Sequence, residues 1–259
     1  MLTRGRHGAK PTPAGEILLR HAEQIERLLD SASREIHLCR RDIMGPLNVG
    51  GTPLAVMSII PAAIAVLAKD VGRVRIDVVE DTDQQLLTGL LGYKYDIVVS
   101  SINLGAHDDA VEDIPLFKSA IAAVFRPDHP LAGRSKVSLA DLDDHQLVLP
   151  QPGGTFRTQL EAMFLMAGRR IPDNIIQTST FATLKEIVLQ SGAVTLIPHQ
   201  IVRNDISLGR LVAVPLEELV GHRTFGLRLL KDRKPSPIAE LFCTVLKQIA
   251  PRYDRENQL

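Results

Sequence analysis

The sequence predicts an α/β protein in which a long N-terminal helix precedes two Rossmann-like α/β lobes. Three observations predict it. Residues 12–41 carry an apolar side chain every three or four positions and contain nothing that breaks a helix. Behind them the chain alternates strand-like and helix-like segments in two successive series, the pattern of mainly parallel sheets covered on both faces. Two short connections, at 113–118 and near 215–221, read as crossings from one series to the other and back. The expected division is 12–44 for the helix, 45–115 with 217–259 for the first lobe, and 116–216 for the second.

Thr12 offers a side-chain oxygen to the free N–H groups of a first helical turn, and Pro13 stands where its missing N–H costs nothing. Gly45-Pro46 is expected to close the far end, because Gly tolerates a left-handed cap and Pro cannot continue a helix. At ~1.5 Å per residue the rod is roughly 45 Å long, more than a small domain covers. Its apolar stripe, chiefly Leu18, Ile25, Leu28, Leu29, Ala32 and Ile36, is expected to pair with the same helix of a second chain. The plainer reading is a solvated helix lying partly on its own domain.

In the first series, 47–51 is a short strand, and Thr52-Pro53 opens a helix running through Ile59, Ile60, Ala63, Ile64 and Leu67. Residues 74–79 alternate like a strand, 81–91 form a short helix capped by Asp81, Thr82 or Asp83, and 95–99 form an apolar strand ending at Ser100-Ser101. The second series begins near Leu116. Strands are expected at 120–125, 146–149, 175–178 and 194–197, and helices at 138–142, from Thr155 through Met166, and after Ser179 or Thr180. Later strands at 211–214 and 222–230 and a closing amphipathic helix at 237–249 complete the chain.

Composition narrows the function. The 259 residues are 45% hydrophobic and 23% charged, with zero net charge, so bulk electrostatics do not mark the chain as a nucleic-acid binder. Residues 1–41 carry eight Arg and Lys against five acids, an excess of three that a solvated helix face also explains. No apolar run reaches the ~20 residues of a membrane span. Cys39 and Cys243 form no framework, and with no apolar leader at the N-terminus a reducing cytoplasm fits best. No nucleophile elbow, Walker loop, zinc motif or paired Cys motif is present, and the eight histidines are scattered, so no enzyme, metal or cofactor is expected. Pro152-Gly153-Gly154-Thr155 lacks the Lys of a phosphate loop and reads as a turn.

What recurs is a hydroxyl residue where a strand feeds a helix: Thr52 beside Pro53, Ser100 and Ser101, Thr155, and Thr180 beside Phe181. Each alone is an ordinary N-cap. Together, in a cleft between two lobes, such helix starts offer N–H groups and partial positive charge to a carboxylate or similar small anion. Phe181 either walls that pocket or joins the core.

Residues 2–19 resemble the end of the winged helix-turn-helix and the start of the linker helix in LysR-type transcriptional regulators. That family shows Phe-x-Arg, a second Arg three residues on, then Leu-Thr-x-Ala-Gly-Glu and a Leu pair. Here Leu2-x-Arg4 and His7 are followed by Pro11-Thr12-Pro13-Ala14-Gly15-Glu16 and Leu18-Leu19, so Leu2, His7 and Pro11 depart while Thr12, Ala14, Gly15 and Glu16 match. The likeness continues at Gly45-Pro46-Leu47, Thr52-Pro53, Arg126-Pro127-Asp128-His129-Pro130-Leu131, and Gly192-Ala193-Val194-Thr195-Leu196-Ile197-Pro198, where Val194 replaces a family Gly.

The resemblance implies a linker helix followed by a two-lobed effector domain of the type 2 periplasmic-binding-protein kind. It implies that 1–11 is the remnant of a DNA-reading head, that promoter contact belongs to a part outside this chain, and that the chain forms a homodimer or homotetramer. It also implies a small-molecule effector, a sugar acid or aromatic acid, held by Thr52, Pro53, Ser100, Ser101, Thr155, Thr180 and Phe181. Val78-Val79-Glu80-Asp81 with Gln84-Gln85-Leu86-Leu87 is similar to regulators of sugar-uptake and aromatic-acid genes. The rival reading is a transporter's solute-binding protein, which would share the lobes but carry an export signal and no dimerising helix.

Overall fold

The computed structural model describes residues 1–5, 8–41, 43–102, 108–218 and 222–254. His7 of the family match, His107 and Gly221 at the expected return crossing lie outside the described residues. The chain opens on an antiparallel hairpin, β1 (Leu2–Gly5) and β2 (Gly8–Pro11), and enters α1 (Pro13–Cys39). Thr12 caps α1 as expected, its Oγ1 accepting from the Gly15 N–H at 3.1 Å. Gly15 must be glycine here, because a Cβ would run into the Met1 carbonyl oxygen that also accepts from the Thr12 N–H.

The far end differs from expectation. α1 stops at Cys39 with Arg40 as its right-handed cap, and Gly45-Pro46 belongs to the following strand, β3 (Met44–Gly51). Gly45 does adopt a positive φ of 118°, but for the strand's sake: a Cβ would sit 2.5 Å from the Arg75 carbonyl oxygen. Within α1 only Gly15 and Leu38 are buried. Leu18, Ile25, Leu29 and Ile36 are each more than half exposed, Leu28 is 40% exposed, and Ala32 is exposed.

After β3 come α2 (Pro53–Met57), α3 (Ile59–Val71), β4 (Val74–Glu80), α4 (Asp83–Leu91), β5 (Ile97–Ile102) and β6 (Val111–Ser119). The single helix expected from Thr52 to Leu67 is broken at Ser58, whose φ of −127° and ψ of −87° are not helical. Pro61 is the cause: it has no N–H for the carbonyl of Met57, and its ring crowds that carbonyl. The Ser58 hydroxyl donates instead to the Leu54 carbonyl. Thr82 is the cap of α4, its Oγ1 accepting from the Gln85 N–H at 3.3 Å. α1 is tied to the end of α4 by Gln24, which donates to the Leu91 carbonyl, and by Arg27, which donates to that of Gly92.

The second lobe contains β7 (Ile121–Phe125), a 3-10 turn at Ala140–Leu142, β8 (Leu147–Pro150), α5 (Thr155–Met166), β9 (Ile175–Thr178), α6 (Phe181–Ser191) and β10 (Val194–Pro198). A second 3-10 turn at His199–Val202, α7 (Arg203–Ser207) and β11 (Val212–Pro215) follow. The chain then returns as β12 (Arg223–Leu230), α8 (Pro237–Ile249) and α9 (Pro251–Asp254).

The sheet orders are β4-β3-β5-β12-β6 and β11-β7-β10-β8-β9. β3 pairs parallel with β4 and β5, whereas β12 runs antiparallel to both β5 and β6. The second series was expected to start near Leu116, but β6 keeps Leu116 to Ser119 in the first sheet, and the chain crosses at Ala120. Pro115 disguises this strand; it is tolerated because β6 is an edge. One buried cluster runs from Leu47, Val49 and Ile97 through Phe117 and Phe225 to Val124, Val148 and Ile197, so the core is continuous behind the two lobes.

A substitution at the β3–α2 corner tests how tightly this corner is packed. A Cβ on Gly51 would sit 2.6 Å from Ile60 Cδ1 and 2.9 Å from Val56 Cγ2. Gly51→Ala is expected to lower stability in urea unfolding by about 1–3 kcal/mol, the usual cost of overpacking. An unchanged midpoint would mean that α2 and α3 shift freely on the sheet.

Candidate functional site

Between the lobes lies a cavity of about 370 Å³. Lobe I contributes the β3–α2 corner with Thr52 and Pro53, the β4–α4 corner with Glu80, Asp81 and Asp83, and Ser101, Arg223 and Phe225 from neighbouring strands. Lobe II contributes Gln151, the start of α5 from Gly154 to Arg157, Gln159, Ser179 and Phe181. Its volume suits a small organic molecule. The rings of Phe156 and Phe181 meet at 5.4 Å and 56°, forming an apolar wall, and Phe225 is stacked on Phe117.

Of the residues expected at this site, Thr52, Pro53, Ser101, Thr155 and Phe181 line the cavity, and Ser100 and Thr180 do not. Ser100 and Ser101 were expected after a strand but lie inside β5, where side chains alternate faces. Ser101 therefore reaches the cleft while Ser100 is fully buried, its hydroxyl on the Ser101 carbonyl at 3.4 Å. Thr180 is spent as the cap of α6, accepting from the Thr183 N–H at 3.1 Å and bonded to the Thr183 hydroxyl.

Thr52 behaves in the opposite way. It precedes α2 but makes no capping bond, and its Oγ1 is buried without a hydrogen-bond partner among the described residues. Thr155 is the first residue of α5; the cap position belongs to Gly154, which has no side chain, and the first turn holds no acid. The amides at the head of α5 thus reach the cavity wall without a side-chain cap.

Three carboxylates and two guanidiniums line the cleft. Burial pushes the Glu80 carboxyl above its ordinary value. Arg157, deeply buried, donates to Glu161 at 2.8 Å and to the Pro150 carbonyl at 3.1 Å. Arg223 spans the cleft. Its Nη2 donates to Ser101 Oγ at 2.5 Å, its Nη1 donates to Gln159 Oε1 of the opposite lobe at 3.3 Å, and Asp83 Oδ2 is 3.7 Å away. Ser101 in turn donates to Asp83 Oδ1 at 3.0 Å. Sequence reasoning missed Arg223, because a charged residue at the start of a strand reads as solvated.

Among the described residues no three His, Cys, Asp or Glu side chains gather as a metal site, and no helix is long and apolar enough to cross a membrane. Burial pushes the Cys243 thiol up to about 11, which makes it a poor nucleophile. Behind the cleft, the 3-10 turn at His199–Val202 packs against α2 and β7, and Ser119 donates to Gln200 at the first crossing. His199 is buried there; burial, then the neighbouring Arg203 charge, holds its imidazole down at about 4.

Residues 40–251 match the family model of the LysR substrate binding domain. Over 97% of its length the chain is 24% identical to the HTH-type transcriptional regulator YdcI of Escherichia coli (strain K12), across 81% of that protein. A full-length OxyR from Pseudomonas aeruginosa superposes with a TM-score of 0.68 at 18% identity, over 95% of this chain and 79% of that one. The effector binding domain of QuiR in complex with shikimate superposes with a TM-score of 0.63 at 16% identity, over 81% of this chain and 99% of that one. The two-sheet architecture is the fold of these domains.

The buried His199 makes stability depend on acid. Well above pH 6.5 it is neutral folded and unfolded alike. As the pH falls from 6.5 towards about 4, the unfolded chain takes up a proton that the folded chain refuses, so stability falls through that window. The slope contributed is at most about 1.4 kcal/mol per pH unit. Urea midpoints measured from pH 7.5 to 4 are expected to decline less steeply in His199→Gln than in the wild type; parallel declines would exclude His199 as the cause.

Proposed function

The chain belongs to the LysR family of transcriptional regulators, and on that premise we propose that it binds a small organic acid between its lobes and relays occupancy to promoter binding. It is read as a cytoplasmic regulator rather than an enzyme. The observation that carries the effector reading is Thr52: a buried hydroxyl with no partner among the described residues, opening on a cavity sized for a small molecule. An uncompensated buried hydroxyl is costly, and a ligand oxygen relieves that cost. Ser101 and Thr155 supply two more hydroxyls, and the uncapped start of α5 supplies amides suited to a carboxylate. The Phe156–Phe181 wall suits a ring. Sugar acids and aromatic acids both satisfy this mixture, and the shikimate held by the QuiR domain is a cyclic, hydroxylated acid of the same kind.

We further propose that α1 pairs two chains. Its exposed apolar side chains, with charged residues on the remaining faces, have the composition of a helix seam. A ligand shifts the assembly only if it prefers one packing over another.

Two measurements test this reading. Calorimetry with a panel of sugar acids and aromatic acids is expected to find a binder, and Thr52→Val to weaken it about tenfold, or about 1.4 kcal/mol. Unchanged affinity would remove Thr52 from the site. Light scattering is expected to give a dimer or tetramer that dissociates in the double variant Ile25→Glu, Leu29→Glu; a monomeric wild type would reject the pairing of α1.

A further inference from the structure

The cleft that is proposed to take an acid is lined by more negative than positive groups. Glu80, Asp81 and Asp83 face two arginines, and Arg157 is already neutralised by Glu161 at 2.8 Å. An anion entering such a site meets net repulsion unless one positive charge is only loosely paired. Arg223 is in that condition. Its two described hydrogen bonds go to neutral oxygens, the Ser101 hydroxyl and the Gln159 amide, and its ion pair with Asp83 is long, at 3.7 Å, outside hydrogen-bond distance. Asp83 is meanwhile occupied by the Ser101 hydroxyl at 3.0 Å.

Other arginines of the same sheet region are matched more fully. Arg228 grips both oxygens of Asp113 at 2.7 and 3.4 Å, and Arg233 holds Asp96 at 2.5 Å. The Arg223 side chain is 29% exposed, so its charge is partly withdrawn from water, where it acts more strongly than on an open surface. A guanidinium has five donors in a planar fork, enough to keep its present contacts and donate to a carboxylate as well.

We propose that Arg223 is the charge-selecting residue of the cleft: held between Ser101 on one lobe and Gln159 on the other, its guanidinium takes the effector's carboxylate and restricts the site to anions. Asp83 has the opposite part. It competes with the ligand for the same guanidinium and repels the ligand's charge. This assignment rests on the effector reading given above. It separates two roles that substitution distinguishes by sign. If Arg223 and Asp83 were only a structural pair, losing either charge would weaken binding in the same direction. If Arg223 selects charge, the two losses move affinity in opposite directions.

The test is calorimetry on the full chain with shikimate and benzoate, each against a neutral counterpart, methyl shikimate and benzamide. The wild type is expected to bind an acid at least about tenfold more tightly than its neutral counterpart. Arg223→Gln is expected to lose that preference. Asp83→Asn is expected to bind the acid more tightly than the wild type. Arg223→Lys, which keeps the charge without the fork, is expected to retain part of the preference, which separates loss of charge from loss of fold. Acid affinity in Arg223→Gln equal to the wild type, or a fall in Asp83→Asn matching that in Arg223→Gln, would overturn the assignment and leave the cleft reading standing. Failure of the wild type to bind either acid would remove the effector class and the assignment together.

Discussion

The pairing of β12 between β5 and β6 is the interaction on which the rest of the molecule depends. Residues 223–230 return from beyond the whole second lobe to become an interior strand of the first sheet, hydrogen-bonded on both sides. Without them, β6 has no partner strand and the chain is held to the second lobe by one crossing rather than two. The insertion is tight. At Gly226, where the register with β6 shifts, a Cβ would come within 2.7 Å of Ile102 and 2.8 Å of the Ile114 carbonyl oxygen. Such a pairing is non-local, so its loop-closure cost falls before its contacts form.

The same strand brings Arg223 and Phe225 to the cleft, so the closure of the fold and the chemistry of the site come from one segment. The cleft walls combine opposite demands. Phe156, Phe181 and Phe225 offer apolar area, while Thr52 leaves a hydroxyl unmatched among the described residues and three carboxylates stand near two arginines. A core built this way would be penalised for each unsatisfied polar atom. The continuous apolar cluster behind the lobes, from Leu47 to Ile197, supplies the stability that such a site does not.

Elements with a clear period were legible in the sequence. The α1 cap at Thr12, the alternation of β4 and the amphipathic α8 all appear where their patterns put them. The failures have specific causes. The apolar spacing predicts one helix from Thr52 through Leu67 and takes no account of Pro61, which breaks it at Ser58. Gly45 was read as a helix cap because a positive φ serves strands and caps alike. β6 was obscured by Pro115, which only an edge position tolerates. Hydroxyl residues where strands feed helices point to Thr52 and Thr155, which line the cavity, but the same rule cannot tell a cap in use, Thr180, from one left free. Ser100 and Ser101 are adjacent, and a strand sends them to opposite faces. Arg223 carried no signal, because its role arises from Gln159 and Ser101, sixty or more positions away.

The proposed relay needs a physical link between the cleft and α1. The described contacts narrow the routes. α4 begins at Thr82 and Asp83 on the cleft wall and ends at Leu91 and Gly92, whose carbonyls accept from Gln24 and Arg27 of α1. At ~1.5 Å per residue its nine residues form a rod of roughly 13 Å. Leu86 and Leu90 anchor that rod against Tyr95 and Val98. A short helix with two buried anchors moves as a unit more readily than it bends. On the reading proposed above, displacement at its Asp83 end would reach the carbonyls that Gln24 and Arg27 hold, and by reciprocity a preferred packing of α1 would bias the cleft. The contacts at 91–92 are two side-chain hydrogen bonds rather than a buried interface, so this junction yields at smaller cost than the sheet beneath it.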